Sequence, residues 1–175
     1  MKKIFFVCFA VLLTSGILGA QTLPSWLNET PPSDVLWGIG SAKQANRSFA
    51  QTLAEGRARQ SISFALNSSI KSAITDHNRE ATVNGVTVST GLQESITRIL
   101  TESQLNGTQV SKVWFASDGT AWVRIEYSKE LAKRWTREVL KEQIESAGEK
   151  VDQDKLASIN DDNLNKISQT AGLPL

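Results

Sequence analysis

The only histidine of the chain, His77, stands beside Asp76 in the polar run Asp76-His77-Asn78-Arg79-Glu80. An imidazole next to a carboxylate is a pair that general acid–base catalysis can use. No nucleophile motif such as Gly-x-Ser-x-Gly accompanies this pair in the sequence. We therefore interpret the run as a polar break after a helix, and His77 as an exposed loop residue.

Two glycines, Gly38 and Gly40, suggest a phosphate-binding loop, and the suggestion can be tested against known motifs. The dinucleotide fingerprint requires a third glycine three residues further on, where Lys43 stands. The Walker pattern, with its Gly-Lys-Ser/Thr ending, is also absent. We therefore predict a short strand over Val35–Ile39 that stops at Gly40, with the glycines forming a tight turn toward a long helix.

Metal and thiol chemistry find little support in the sequence. The run Asp152-Gln153-Asp154 resembles the start of a calcium loop, but the sixth position is Ala157 and the twelfth is Asn163. The single cysteine, Cys8, lies in the apolar N-terminal run. We predict no catalytic, cofactor-binding or metal-binding residues, and hence a protein that is not an enzyme.

The clearest local structure is a hairpin formed by 109–116 and 121–127 around the turn Ser117-Asp118-Gly119. A two-residue turn would set Lys112 opposite Ile125 on the inner face. A three-residue loop with Gly119 in the left-handed conformation separates apolar from polar residues more cleanly. We adopt the second register.

This register places Trp114 opposite Trp122 on the outer face of the hairpin, together with Lys112 and Arg124. Most of the five tryptophans are expected to pack in the core or the hairpin. We expect Trp114, Trp122 and Arg124 to form an exposed surface that could bind a partner protein or, alternatively, stack against a sugar ring.

Helical periodicity accounts for most of the remaining chain. Apolar residues at three-and-four spacing predict a long helix from about Asn46 to about Ile74, started by a capping box at Ser41 or at Ser48. Small residues line its first half, which would let it lie close against a sheet: Ala50, Ala54, Gly56 and Ala58. Further helices are predicted over 90–103, from Ser128 to Gly148, and over 151–171.

Residues 1–20 have the three parts of a secretory signal: Lys2-Lys3, an apolar run, and small residues before Gln21. We predict cleavage after Ala20, with an uncleaved membrane anchor as the alternative. Leu18-Gly19-Ala20 also fits a bacterial lipoprotein signal, but Gln21 occupies the position of the lipid-carrying cysteine. We therefore expect the periplasm or the outer membrane as the location, without a lipid anchor.

The charge balance argues against nucleic acid as a partner. Removing Lys2 and Lys3 from 19 basic residues leaves 17 against 18 acidic residues. Such a chain has no basic excess to neutralise phosphates.

Several of these features together resemble the LPP-twenty lipoprotein family of small bacterial cell-envelope proteins. They are Pro24-Ser25-Trp26, Leu36-Trp37-Gly38-Ile39-Gly40-Ser41-Ala42, the helix positions Ala50, Ala54 and Arg57-Ala58-Arg59, and Trp114 followed by Asp118-Gly119-Thr120. The resemblance covers residues 24–127 and extends more loosely to the N-terminal domain of the flagellar assembly protein T. It implies an exported α+β domain, and it brings no catalytic residues with it.

The sequence thus predicts an α+β fold, with one long helix packed on a small antiparallel sheet. We expect three parts: a signal peptide over 1–20, an LPP-twenty-like domain over 21–127 and a helical C-terminal extension over 128–175. The expected function is a structural or protein-interaction role in the cell envelope, with envelope or flagellar proteins as partners and peripheral membrane association as an option. The alternative is a binding module for peptidoglycan sugars or lipid that uses the exposed tryptophans; no cofactor is expected.

Overall fold

The structure, a computed structural model, describes residues 23–81, 85–102 and 105–167. The predicted signal peptide and Gln21 lie outside these ranges. In chain order the elements are a 3-10 helix over Ser25–Asn28, β1 over Val35–Lys43, α1 over Arg47–Ala81, α2 over Thr90–Glu102, β2 over Gln109–Phe115, β3 over Thr120–Ser128, α3 over Lys129–Ala147 and α4 over Gln153–Lys166. The three strands form an antiparallel sheet in the order β1-β3-β2, and α1 packs across it. The predicted fold class is confirmed.

The strand β1 does not stop at Gly40, as predicted, but continues through both glycines to Lys43. A Cβ atom on Gly38 would lie 2.0 Å from the carbonyl oxygen of Ala58, and one on Gly40 would lie 2.1 Å from that of Ala54. The two glycines therefore allow the backbones of β1 and α1 to touch, and they do not form the predicted tight turn.

The small residues of α1 have the predicted role, with one exception. Ala50, Ala54 and Ala58 are fully buried against the sheet. Gly56 lies on the exposed side, where an added Cβ would meet nothing within 4 Å. Phe49, which fits the apolar periodicity, is also exposed.

The start of α1 near Asn46 is confirmed, but the cap of the helix and its C-terminal end differ from the prediction. Asn46 caps the start, because its Oδ1 accepts a hydrogen bond of 3.1 Å from the backbone N–H of Phe49, whereas Ser41 lies in β1 and Ser48 inside the helix. The helix also continues past Ile74 through the supposed polar break. The reason is that His77 extends the buried face of Ala73 and Ile74, so the charged neighbours of His77 can stay on the solvent side of a helical turn.

The core has two parts, and the C-terminal helices contribute to both. The first lies between α1 and the sheet and includes Leu164 of α4. The second joins the later turns of α1 to α2, α3 and α4, with Ile96, Leu140 and Leu156 almost fully buried. The helical C-terminal extension is therefore packed against the long helix.

Local end signals delimit these helices. Gly148 ends α3 with a left-handed conformation, at a φ of 65°. Asp152 caps α4 by accepting a hydrogen bond from the N–H of Lys155. The buried ammonium of Lys129 donates to the carbonyls of Asn165 and Ile167 at the end of α4. The helix α4 ends at Lys166, and the last part of the helix predicted over 151–171 lies outside the described residues.

The hairpin has the predicted register. Trp114 pairs with Trp122 and Val113 with Val123, and Gly119 has a φ of 88°. A bulge between Val110 and Lys112, which the sequence did not indicate, interrupts the pairing nearer the start of β2.

Asp118 holds this turn, and its titration is a direct test of the turn geometry. Hydrogen bonding by Thr120, first through its backbone N–H at 3.0 Å, lowers the pKa of the Asp118 carboxyl to about 2, with a smaller effect from Lys43.

A carboxyl with a depressed pKa stabilises the folded state above its unfolded-state pKa. That contribution is lost as the pH falls from near 4 through the folded value of about 2. We expect an NMR titration to give a midpoint near 2 that Lys43→Ala raises only slightly. A midpoint near 4 would contradict the turn described here.

Candidate functional site

The face of the sheet that points away from α1 carries an aromatic cluster. Strand alternation puts Trp37 and Ile39 of β1, Trp122 and Arg124 of β3, and Trp114 of β2 on this outer face. The 3-10 helix lies over part of it and adds Trp26 and Leu27. Four of the five tryptophans of the chain thus gather on one side of the sheet.

Arg124 lies inside this cluster and does not form an exposed surface, so that prediction is wrong for this residue. Its side chain is buried, with the guanidinium 3.7 Å from the ring centre of Trp37. It forms ion pairs with Glu29 at 2.8 Å and Glu126 at 3.5 Å, and its Nε donates to Ser111 Oγ at 3.1 Å. Burial of a guanidinium requires such partners. Arg124 therefore fastens the segment that precedes β1 to the sheet.

Trp114 and Trp122 lie side by side, as predicted, but both are half-buried. Their rings pack against the cluster formed by Trp26, Leu27 and Ile39. The pair offers only part of its aromatic surface to solvent, and Arg124 contributes none.

The most exposed apolar part of the sheet is β2, the strand at one end of the sheet order. Val110 and Val113 are 41% and 39% exposed, although both side chains point to the α1 side of the sheet. Along the described chain, no further strand pairs with the outer edge of β2. The opposite edge strand, β1, is contacted by α1, since Arg57 donates to the carbonyl oxygen of Ser41.

Sequence reasoning missed this edge because the hairpin pattern predicts only the inward and outward faces of its two strands. It does not say which strand is central. The order β1-β3-β2 results from β1 pairing with β3, a contact between residues far apart in the chain. Lys112 is the residue that could have indicated that β2 is an edge strand, because lysine is common on exposed edge strands.

A polar cleft of about 700 Å³ adjoins the start of β2. It lies between α1 and the loop that leads into the strand, and Arg59 crosses part of it to donate to Thr108 Oγ1 at 3.3 Å. The exposed ring of Phe64 lies on its α1 side. The lining residues that the structure describes are Gly56, Arg59, Gln60, Ser63, Phe64, Thr101, Leu105, Asn106, Gly107 and Thr108.

His77 is buried in α1, and the prediction of an exposed loop residue is wrong. Its Nδ1 has no hydrogen-bond partner among the described residues. The neighbouring cavity of about 330 Å³ is lined there by charged residues, including Glu80 and Lys155, and by neither Asp76 nor a serine. A hydrogen bond from Lys155 lowers the pKa of the Glu80 carboxyl. The structure does not bring His77 and Asp76 together with a serine in this cavity.

In the described ranges, no three or more His, Cys, Asp or Glu side chains are grouped so that they could hold a metal ion. None of the helices in these ranges has the length and apolar character needed to cross a membrane. Comparison of the chain with protein-family models, with curated proteins and with solved structures finds no match.

Proposed function

We propose that this chain is an exported, non-enzymatic protein of the bacterial cell envelope that works by binding other proteins, in an envelope or flagellar assembly. The observation that carries the proposal is the edge of β2. It combines an unpaired strand edge with two exposed valines, whereas the other edge of the sheet is contacted by α1. Exposed edges of this kind bind extended segments of other proteins by main-chain hydrogen bonds.

Export is supported by the N-terminal sequence and by the resemblance to the LPP-twenty family. The charged start, the apolar run and the small residues before Gln21 form a secretory signal. The resemblance of the motifs over 24–127 to that envelope family favours the periplasm or the outer-membrane surface as the place of action. We expect the mature chain to begin at Gln21, without lipid.

Capture from envelope extracts tests the binding role. Immobilised mature protein is expected to retain a defined set of envelope proteins. Val113→Glu should abolish the retention, because it places a charge on the exposed edge. Glu142→Ala, on the exposed side of α3, should leave it unchanged. If the mature protein stays monomeric and retains nothing, the proposal fails.

Cell fractionation combined with mass measurement of the mature protein tests export and lipidation together. The expected result is a periplasmic or membrane-peripheral protein whose mass corresponds to a start at Gln21. A cytoplasmic protein with an intact N-terminus would contradict the proposal.

The second candidate is a sugar- or lipid-binding module, which the adjacent Trp114 and Trp122 rings favour. Aromatic faces stack on sugar rings, and the two rings are paired across strands. Titration with peptidoglycan fragments or lipid vesicles should then change the tryptophan fluorescence of the wild type and not that of the Trp114→Ala, Trp122→Ala variant. An equal response of both proteins would remove this candidate.

A further inference from the structure

We propose that the free edge of β2 binds an extended acidic segment of a partner protein, which joins the sheet as a fourth strand beside β2. This inference rests on the proposed protein-binding function and specifies the chemistry of the partner.

The backbone of β2 supplies the first requirement. As the last strand of the sheet, β2 turns alternate N–H and C=O groups away from β3, except at the bulge between Val110 and Lys112, and an added strand would pair with them. Most of β2 is solvent-exposed, including Gln109, Val110, Lys112 and Val113. A partner strand can therefore approach without displacing any described part of the chain.

The side chains of the edge differ between its two faces. On the α1 side, Val110 and Val113 offer apolar contact to alternate residues of an added strand. The cleft beside Thr108 adjoins this side, because Thr108 directly precedes Gln109. A partner segment that extends past Gln109 would reach the cleft.

Charge determines the class of partner. Lys112 is exposed, and along the described chain it has no ion-pair partner, although it lies directly opposite Arg124. The charge of Arg124 is compensated by Glu29 and Glu126. An acidic residue on an added strand, placed opposite Lys112, would give the Lys112 ammonium an ion-pair partner of its own.

Two further cations lie on the α1 side of the same strand. The guanidinium of Arg47 lies 4.3 Å from the ring centre of Phe115, at one end of β2. Arg59 lies at the other end, hydrogen-bonded to Thr108. Glu55 is its carboxylate partner, at 3.8 Å, and Arg59 remains partly exposed.

The carboxylates nearest this edge in the hairpin are already engaged. Asp118 lies 3.1 Å from Lys43. Glu126 lies 3.5 Å from Arg124. Within the described chain, Lys112 on the outer face and Arg47 on the α1 side are therefore the cations beside β2 that have no ion pair. Such cations favour an acidic strand over a basic one.

A second copy of this chain is a poorer occupant. Antiparallel pairing of β2 with itself about its middle would bring Lys112 close to Lys112 of the other copy. In such a pair both strands would carry the bulge between Val110 and Lys112, whereas a strand from another protein would meet it on one side only. An acidic strand from another protein meets no such repulsion.

Peptide titration of the mature protein tests the inference. The probes are a ten-residue peptide that alternates valine with glutamate, a matched peptide that alternates valine with lysine, and the acidic peptide with a central proline. The expected result is slowed amide hydrogen exchange and shifted NMR signals in β2 with the acidic peptide alone. Lys112→Glu should weaken this binding at least about tenfold at low salt. The control Lys141→Glu, on an exposed position of α3, should not.

The possible outcomes separate this inference from the broader proposal. Equal binding of the acidic and lysine peptides, or none at β2, overturns the inference. If Val113 is still required for capture of envelope proteins, the protein-binding function stands with a partner of different chemistry. A concentration-dependent dimer with protected β2 amides would also overturn the inference, in favour of a second copy.

Discussion

Replacing Gly38 with alanine is expected to destabilise the protein by more than about 3 kcal/mol, among the largest effects available to one methyl group. The new Cβ would lie 2.0 Å from the carbonyl oxygen and 2.9 Å from the carbonyl carbon of Ala58. Both are backbone atoms of α1, so no side chain can rotate to relieve the contact. The helix must move away from β1, which loosens the core above Leu36 and Ile62.

The long helix supplies a matched control for this substitution. Gly56→Ala adds the same methyl group on the solvent side of α1, where nothing lies within 4 Å. It is expected to stabilise the protein by roughly 0.5 to 1 kcal/mol, because alanine favours the helix over glycine. Urea unfolding followed by circular dichroism measures both variants. Similar stabilities for Gly38→Ala and the wild type would show that β1 and α1 are not in backbone contact.

Replacing Arg124 with alanine is expected to cost about 2 to 3 kcal/mol, since it removes a buried cation with charged hydrogen-bond partners. The loss includes the contact with Trp37 and the ion pair with Glu29. Because the carboxylate of Glu29 is half-exposed, it can return to water, which keeps the cost below that of breaking a fully buried pair.

The part of the chain that Arg124→Ala destabilises distinguishes this effect from general unfolding. The segment before β1 is fastened to the sheet through Arg124, so Arg124→Ala should make residues 23–34 sensitive to protease under native conditions. Arg124→Met keeps the apolar stem of the side chain, so its protease sensitivity should lie between that of Arg124→Ala and that of the wild type. The surface variant Arg79→Ala should leave the melting temperature unchanged. Unchanged protease resistance in Arg124→Ala would contradict the fastening role.

Local sequence patterns predicted those parts of the fold that depend on neighbouring residues. The hairpin register follows from Gly119 and from the alternation on either side of it. The extent of α2 and the end of α3 at Gly148 follow from periodicity and a glycine stop. The small residues of α1 correctly indicated a close approach to a sheet.

The errors arose where the decisive contact is distant in sequence. Gly38 and Gly40 have the same local signature in a turn as in a strand that touches a helix, and only the position of Ala54 and Ala58 decides between them. His77 follows Asp76 and precedes three charged or polar residues, Asn78, Arg79 and Glu80. It nevertheless lies on the buried face of α1, beside residues that come later in the chain. Arg124 was expected to be exposed because its partner Glu29 lies on a different element.

Site-specific photocross-linking in the native cell tests the central claim, that the β2 edge is the contact surface for other envelope proteins. A photoreactive amino acid at Val113 would lie on that edge, and one at Glu142 would lie on the exposed face of α3. The account predicts a discrete cross-linked product with another envelope protein from position 113 and none from position 142. Equal products from both positions, or none from position 113 in cells that contain the exported protein, would contradict it.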